Sequence, residues 1–480
     1  MRRKFLTNLL LLLFLNLLIK PFWIFGIDRT VQNMVGAEEY GLYFSLFNFS
    51  LLLNIILDFG ITNFNNRNIA QNNHLLSKSL SGIVILRILL AIVYFIITMT
   101  VALIIGYELR QLYILLFLIF NQFIASFILY LRSNLSGLHL FKTDSIISVL
   151  DRTLMIIICS ILLWGGIFET SFRIEWFIYA QTVSYFIALL ITLIVVYGKA
   201  DFLKLNFDRA YFIAILKKSY PFALLTLLMA FYFRIDSVML ERMLPNGKEQ
   251  AGIYAQSYRI LDAVAMFAFL FAGLLLPMFS RMIKQKQSID QLTFFSLLLL
   301  IVPVLGITSA SFFYRDEIMD LLYHQHVKSS SIIFGVLILS YIGIATTYIF
   351  GTLLTANGSL RQLNLMAGSG VILNISLNLI LIPKYFALGA AIASVVTQTF
   401  TAIIQVVLSF KIFNFRLSVQ RIYQVLLFLI VLFVFSMLSV NLDFYWGIKF
   451  LSIIVFSILL AFIFRIFKIK VLFEILRSGE

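Results

Sequence analysis

Apolar stretches of about 20 residues follow one another along almost the whole chain, separated by loops too short to fold on their own. In hydrocarbon a backbone must satisfy its own hydrogen bonds, so such stretches fold as helices. Roughly 14 spans are expected on that rule. They lie near 5–27, 40–60, 80–106, 112–131, 144–164, 174–197, 220–240, 251–276, 292–312, 330–351, 361–382, 387–410, 421–440 and 446–464. The fold class is therefore an all-α integral membrane protein. Hydrophobic residues make up 61% of the 480 residues and charged residues only 12%, which no soluble domain of this size requires.

The first residues, MRRKFLTNLLLLLFLNLLIK, imitate a signal peptide but lack a small-x-small cleavage site. They read as an uncleaved first span. Lys and Arg in the loops on the N-terminal side outnumber those on the other side roughly threefold, which places both termini in the cytoplasm. The same asymmetry explains much of the net charge of +15, so basicity reads as topology and not as nucleic-acid binding. The single cysteine, Cys159, excludes an internal disulfide and a thiolate cluster. His74, His139, His324 and His326 fall in expected loops. The pair His324 and His326 has spacing for a shared metal, but no carboxylate or cysteine completes a set. No metal and no cofactor are expected.

Two echoes suggest an internal repeat. Glu39-Tyr40-Gly41-Leu42-Tyr43 opens the second span and Gln250-Ala251-Gly252-Ile253-Tyr254 opens the eighth. Asn134-Leu135-Ser136-Gly137 and Ala356-Asn357-Gly358 follow the fourth and tenth. An even offset gives repeats of one orientation, related by a pseudo-two-fold axis along the membrane normal. The expected division is a six-helix lobe over 1–198, a second over 199–411, and an extra helix pair with a tail over 412–480.

Several segments then read together. Arg234-Ile-Asp236-Ser-Val-Met-Leu240 precedes Ala251-Gly-Ile-Tyr-Ala-Gln-Ser-Tyr-Arg259 and Leu276-Pro-Met-Phe-Ser-Arg281. Asn357-Gly358, Asn374-Ile-Ser-Leu-Asn378-Leu-Ile-Leu-Ile-Pro383 and Gly389-Ala-Ala-Ile-Ala393 follow, and Asp58-Phe59-Gly60 stands in the first half. This order resembles the Wzx-type polysaccharide flippases of the MOP superfamily, over essentially the whole chain. The resemblance implies two six-helix lobes around a central cavity. It implies translocation of undecaprenyl-pyrophosphate-linked oligosaccharides across a bacterial cytoplasmic membrane by alternating access, for O-antigen, capsule or exopolysaccharide synthesis. Lipid-linked oligosaccharide and membrane lipid are the implied ligands. A polysaccharide polymerase and glycosyltransferases are the implied partners.

Ionisable residues inside spans are the leading site candidates, because each costs at least ~2.5 kcal/mol at a helix centre. Asp58, Arg87, Asp151 and Arg152 fall in the cytoplasmic half of the first lobe, and Arg234, Asp236, Arg259 and Asp262 in the outer half of the second. Lys20 adds a further cation. Each group of four balances two cations with two anions, so salt-bridged helix locks compete with a substrate site. In the functional reading Lys20, Arg87, Arg152, Arg234 and Arg259 bind pyrophosphate or acidic sugars, since guanidinium forks match phosphate oxygens. The aspartates hold the forks or carry protons. Asn364, Asn374, Asn378, Gln398 and Gln405 suit sugar hydroxyls, against interhelical hydrogen bonding as the plainer role.

The rival on the same fold is a MATE-like cation-coupled multidrug antiporter, which calls for an acidic or aromatic cavity. A peptidoglycan-precursor flippase ranks lower, because its family carries a more cationic lining. An enzyme, such as a polymerase or glycosyltransferase, needs catalytic residues on sizeable outer loops. The loops here are short, and no nucleophile set, paired carboxylates or phosphate-binding glycine loop stands out.

Overall fold

The computed structural model describes residues 14–16, 18–62, 65, 69, 76–138, 140–166, 172–199, 209–415 and 419–464. The start of the first expected span, His74, His139 and the C-terminal basic tail lie outside them. Among the described residues the α-helices with assigned bounds follow in this order. They are α1 (Arg29–Leu52), α2 (Leu76–Ile105), α3 (Leu109–Gly137), α4 (Phe141–Trp164), α5 (Ile174–Tyr197), α6 (Arg209–Met243) and α7 (Gly247–Lys284). Then come α8 (Asp290–Phe313), α9 (Arg315–Leu322), α10 (Val327–Leu337), α11 (Ser340–Ala356), α12 (Leu360–Phe413), α13 (Val419–Val440) and α14 (Trp446–Ile463). A π-helical turn, Trp23–Asp28, leads into α1, and a 3₁₀ turn, Asn54–Leu57, follows it. Eleven helical segments among the described residues are long and apolar enough to cross a membrane, so the chain is a multi-pass membrane protein.

α12 shows how sequence and membrane together set the fold. Its 54 residues would extend ~80 Å if straight, far beyond a ~30 Å hydrocarbon core. It breaks at Phe386, at φ 53° and ψ −134°, three residues after Pro383. A Cβ on Gly389 would overlap the Leu381 carbonyl, so the two arms pack backbone to backbone at the turn. The arms correspond to the two spans expected on either side of Pro383-Lys384-Tyr385.

Internal contacts divide the chain into two compact units, Met1–Ala255 and Gln256–Glu480. In the first, α1 packs on α6 and α3, and α5 packs on α3 and α4. Its core gathers Ile83, Leu90, Ile124, Phe127, Leu131 and Ala188. The glycines of the first sequence echo meet here. A Cβ on Gly41 would overlap the Lys248 carbonyl, and one on Gly252 the Ala37 carbonyl. Only glycine permits that approach of α1 to the start of α7. In the second unit α11 packs on α12, and the terminal pair α13 and α14 packs on α8. Val302, Phe428, Leu432, Ile453 and Leu460 form that contact, with hydroxyl bonds Ser309–Ser436 and Tyr314–Ser439, both 2.9 Å.

Candidate functional site

Asp58 sits just after the 3₁₀ turn, where Phe59 and Gly60 take positive φ. Its carboxylate accepts the backbone N–H of Gly60 at 3.0 Å and of Thr62 at 3.2 Å, together with the Thr62 hydroxyl. This is the local side-chain-to-backbone turn that Asp favours. The same carboxylate is ion-paired with Arg87 of α2. Arg87 also donates to the Ser126 carbonyl at 3.1 Å, the Ser126 hydroxyl at 2.8 Å and the Thr62 hydroxyl at 2.6 Å. Its guanidinium lies 5.1 Å from the Tyr130 ring centre. Arg87 is 1% exposed, so its fork ties the 58–62 turn, α2 and α3 into one buried knot.

Asp151 and Arg152 belong to a different constellation. The Arg152 guanidinium lies over the Trp23 ring at 5.6 Å and the Tyr185 ring at 5.7 Å. Its Nε stands 3.7 Å from the Asp151 carboxylate, and one amino group is 3.4 Å from the Met155 sulfur. Trp23 is held in turn by stacking on Phe177, at 5.6 Å and 5°. Lys20, three residues before Trp23, is half-buried and within electrostatic reach of Arg152, Asp151 and Arg132. Arg132 pairs with Asp144 at 2.7 Å. Asn16 donates to Ser148 at 3.2 Å, fastening the segment before the π turn to α4.

The third set is split between the units. Arg234 and Asp236 lie in the first, Arg259 and Asp262 in the second. Asp236 is 1% exposed and accepts the Tyr254 hydroxyl at 3.0 Å. Its neighbour Ser237 accepts from Asn48 of α1 at 2.9 Å. Arg234, Arg259 and Asp262 are half-buried.

Asn374, Asn378, Gln398 and Gln405 are buried in the second unit, and Asn378 donates to Asn374 at 3.0 Å. A Cβ on Gly351 of α11 would sit 2.6 Å from the Gln405 oxygen, so this amide faces the α11–α12 seam. Asn364 is half-buried. A groove of about 460 Å³ in the second unit is lined by Leu339, Ile342, Gly343, Val395, Ala402 and Val406, among others, and by none of the charged candidates. No cluster of three or more His, Cys, Asp or Glu suited to a metal occurs among the described residues.

Two buried acids escaped the sequence reading. Asp28 is 2% exposed and accepts the Tyr40 hydroxyl at 2.8 Å. Glu241 is 6% exposed, accepts Gln111 at 2.8 Å and pairs with Arg242, whose guanidinium lies 4.3 Å from the Tyr107 ring centre. Each adjoins an arginine and falls one residue past the end of an expected span, 5–27 or 220–240. The available signal was helical continuity: no turn residues separate Asp28 from α1 or Glu241 from the body of α6. Trp23 and Tyr185 were missed as well, because an aromatic ring in a span carries no mark of what it touches.

The model of the polysaccharide biosynthesis protein family matches residues 7–283. An uncharacterized membrane protein of Methanocaldococcus jannaschii, MJ1375, is 27% identical over 390 residues, covering 76% of this chain and 88% of the relative. Among solved structures, the lipid II flippase MurJ in an inward closed conformation superposes with a TM-score of 0.68 at 15% identity, covering 93% of this chain and 97% of MurJ. An inward-facing multidrug resistance MATE transporter of the MOP superfamily gives 0.64 at 14% identity, covering 82% and 94%. Family and fold agree with the resemblance read from the motifs: the chain belongs to the polysaccharide biosynthesis protein family and has the fold of the MOP-superfamily transporters.

Proposed function

We propose that this protein moves oligosaccharide repeat units linked to undecaprenyl pyrophosphate from the inner to the outer leaflet of a bacterial cytoplasmic membrane. The product would feed O-antigen, capsule or exopolysaccharide synthesis, with glycosyltransferases supplying the substrate and a polymerase consuming it. The observation that carries this reading is the half-buried pair Lys20 and Arg152 within the first unit of a chain from a polysaccharide biosynthesis family. A pyrophosphate with several sugars cannot cross hydrocarbon unaided, because its hydration is lost without replacement. Cations at membrane depth replace that hydration and favour an anionic cargo over the cationic cargo of a drug antiporter.

In this reading Lys20 and Arg152 meet the pyrophosphate first, and Arg234 and Arg259 are further anion-binding candidates, one in each unit. Arg87 and Asp58 hold the helices around it. Asp151, Asp236 and Asp262 orient the cations or carry the protons that reset the cycle. Asn364, with sugar hydroxyls as its match, is the most open of the amides, while Asn374, Asn378 and Gln398 stiffen the α11–α12 hairpin. Both termini lie in the cytoplasm, and alternating access works between lobes over 1–198 and 199–411, with 412–480 as an extra helix pair and cytoplasmic tail.

The test is a host lacking this gene. Its undecaprenyl-pyrophosphate oligosaccharide is measured by mass spectrometry with and without a plasmid copy. A complete repeat unit that accumulates in the mutant and is cleared by the wild-type copy supports the flippase. Unchanged lipid pools with unchanged surface glycan would overturn it and move the antiporter to first place.

A further inference from the structure

We propose that Trp23 and Tyr185 are positioning residues for a pyrophosphate subsite, holding the Arg152 guanidinium between two ring faces with Lys20 as the second cation. This rests on the flippase reading for the source of the anion, and adds where that anion sits and what prepares the site for it.

A guanidinium placed in a span needs something to replace water. A carboxylate does this by cancelling the charge, as Asp58 does for Arg87. A ring face does it differently. Within about 6 Å of its centroid it attracts the cation through the ring quadrupole and leaves the net charge in place. Arg152 has two such faces, at 5.6 Å and 5.7 Å, and a carboxylate oxygen of the adjacent Asp151 at 3.7 Å. With Lys20 in electrostatic reach, Lys20, Asp151 and Arg152 together carry one excess positive charge, while Arg132 and Asp144 cancel each other. An excess charge at depth is what a phosphate or pyrophosphate group requires.

The clamp is itself rigidly mounted. Trp23 is 7% exposed, stacks on Phe177, and opens the π-helical turn. Phe177 and Tyr185 lie two turns apart on α5, so one helix carries both the Trp23 support and the second ring. A π turn rotates the helix before it by roughly a third of a turn relative to a regular α-helix. That rotation sets the direction in which Lys20 and Trp23 leave the backbone. π turns within α-helices are frequent at functional sites.

The experiment uses the full chain in lipid nanodiscs and measures binding of undecaprenyl pyrophosphate, with inorganic pyrophosphate as competitor. Trp23→Leu and Tyr185→Leu are expected to weaken binding about tenfold, and Tyr185→Phe, which keeps the ring face, to stay within about twofold. In an Arg152→Gln background the two leucine variants should cause no further loss, because they act through Arg152. Competition by inorganic pyrophosphate would show that the headgroup alone is read. Binding of the lipid-linked form without competition would assign the same subsite to the lipid-borne group. Equal binding by wild type and leucine variants, or an undiminished loss in the Arg152→Gln background, would overturn the clamp. Neither result would alter lipid accumulation in the deletion host, so failure of the clamp and failure of the flippase reading remain distinguishable.

Discussion

Arg87 of α2 and Arg152 of α4 are the same residue type in two spans of one unit, and they meet the problem of a charge in hydrocarbon with different partners. Arg87 is enclosed, ion-paired with Asp58 and hydrogen-bonded to Thr62 and Ser126. Arg152 is half-buried, stands over the Trp23 and Tyr185 rings at 5.6 and 5.7 Å, and has the more distant Asp151 carboxylate at 3.7 Å. The first arrangement uses the charge up in holding helices together. The second holds the guanidinium against rings beside a looser carboxylate, and with Lys20 counted the group keeps one positive charge. The lesson is that depth alone does not separate a structural cation from a functional one; the chemistry of the partner does.

The largest effect that would break this comparison is on stability. Asp58→Ala leaves the enclosed Arg87 without its carboxylate, and removing one partner of a buried pair typically costs about 3–5 kcal/mol. Thermal unfolding in detergent should show a strongly destabilised or unrecoverable protein. A variant as stable as wild type would remove Arg87 from the structural side. Arg152→Gln is expected to behave in the converse manner. Stability should change by less than about 1 kcal/mol, whereas transport per molecule should fall by roughly 10–100-fold, the worth of charge-assisted hydrogen bonds to the cargo. Equal stability losses at both positions would merge the two classes.

Arg87→Lys sharpens the comparison at smaller scale. An ammonium keeps the charge but cannot span Asp58, Thr62 and Ser126 as a planar fork, so a loss of about 1–2 kcal/mol in stability is expected from chemical denaturation. The smallest effect belongs to a third arginine. Arg110 is 48% exposed and bridges Glu39 at 2.6 Å and Glu175 at 2.7 Å. Exposed pairs are worth up to about 1 kcal/mol, so Arg110→Ala should shift the unfolding midpoint only slightly. A shift as large as that of Asp58→Ala would mean that the rim, not the buried knot, holds the first unit together.

Much of the fold was legible because hydrocarbon permits few solutions. Apolar length gave the spans from α2 onward, and Pro383 marked the place where α12 turns back. The glycine echo stands out in sequence as a pattern, but its role as a contact does not. That Gly41 and Gly252 lie in reach of each other's helix depends on how α1 and the start of α7 cross, which no local pattern encodes. The site was legible only as a list of charges. Sequence grouped Asp58, Arg87, Asp151 and Arg152 by depth, and the structure divides them by partner. The division turns on Trp23 and Tyr185, two rings in separate apolar runs, and on a π turn that has no sequence signature here. Asp28 and Glu241 were lost for a related reason: an acid beside an arginine at a helix end reads as solvated, although tertiary packing encloses both.

The most direct test of the account compares the two arginine sets in the deletion host at matched amounts of membrane-inserted protein, with undecaprenyl-pyrophosphate repeat units quantified by mass spectrometry. With Arg152→Gln the repeat unit should accumulate nearly as in the host with no copy, while Arg87→Lys should clear it at close to the wild-type rate per folded molecule. Clearance by Arg152→Gln at the wild-type rate would contradict the claim that the ring-held cation carries the cargo.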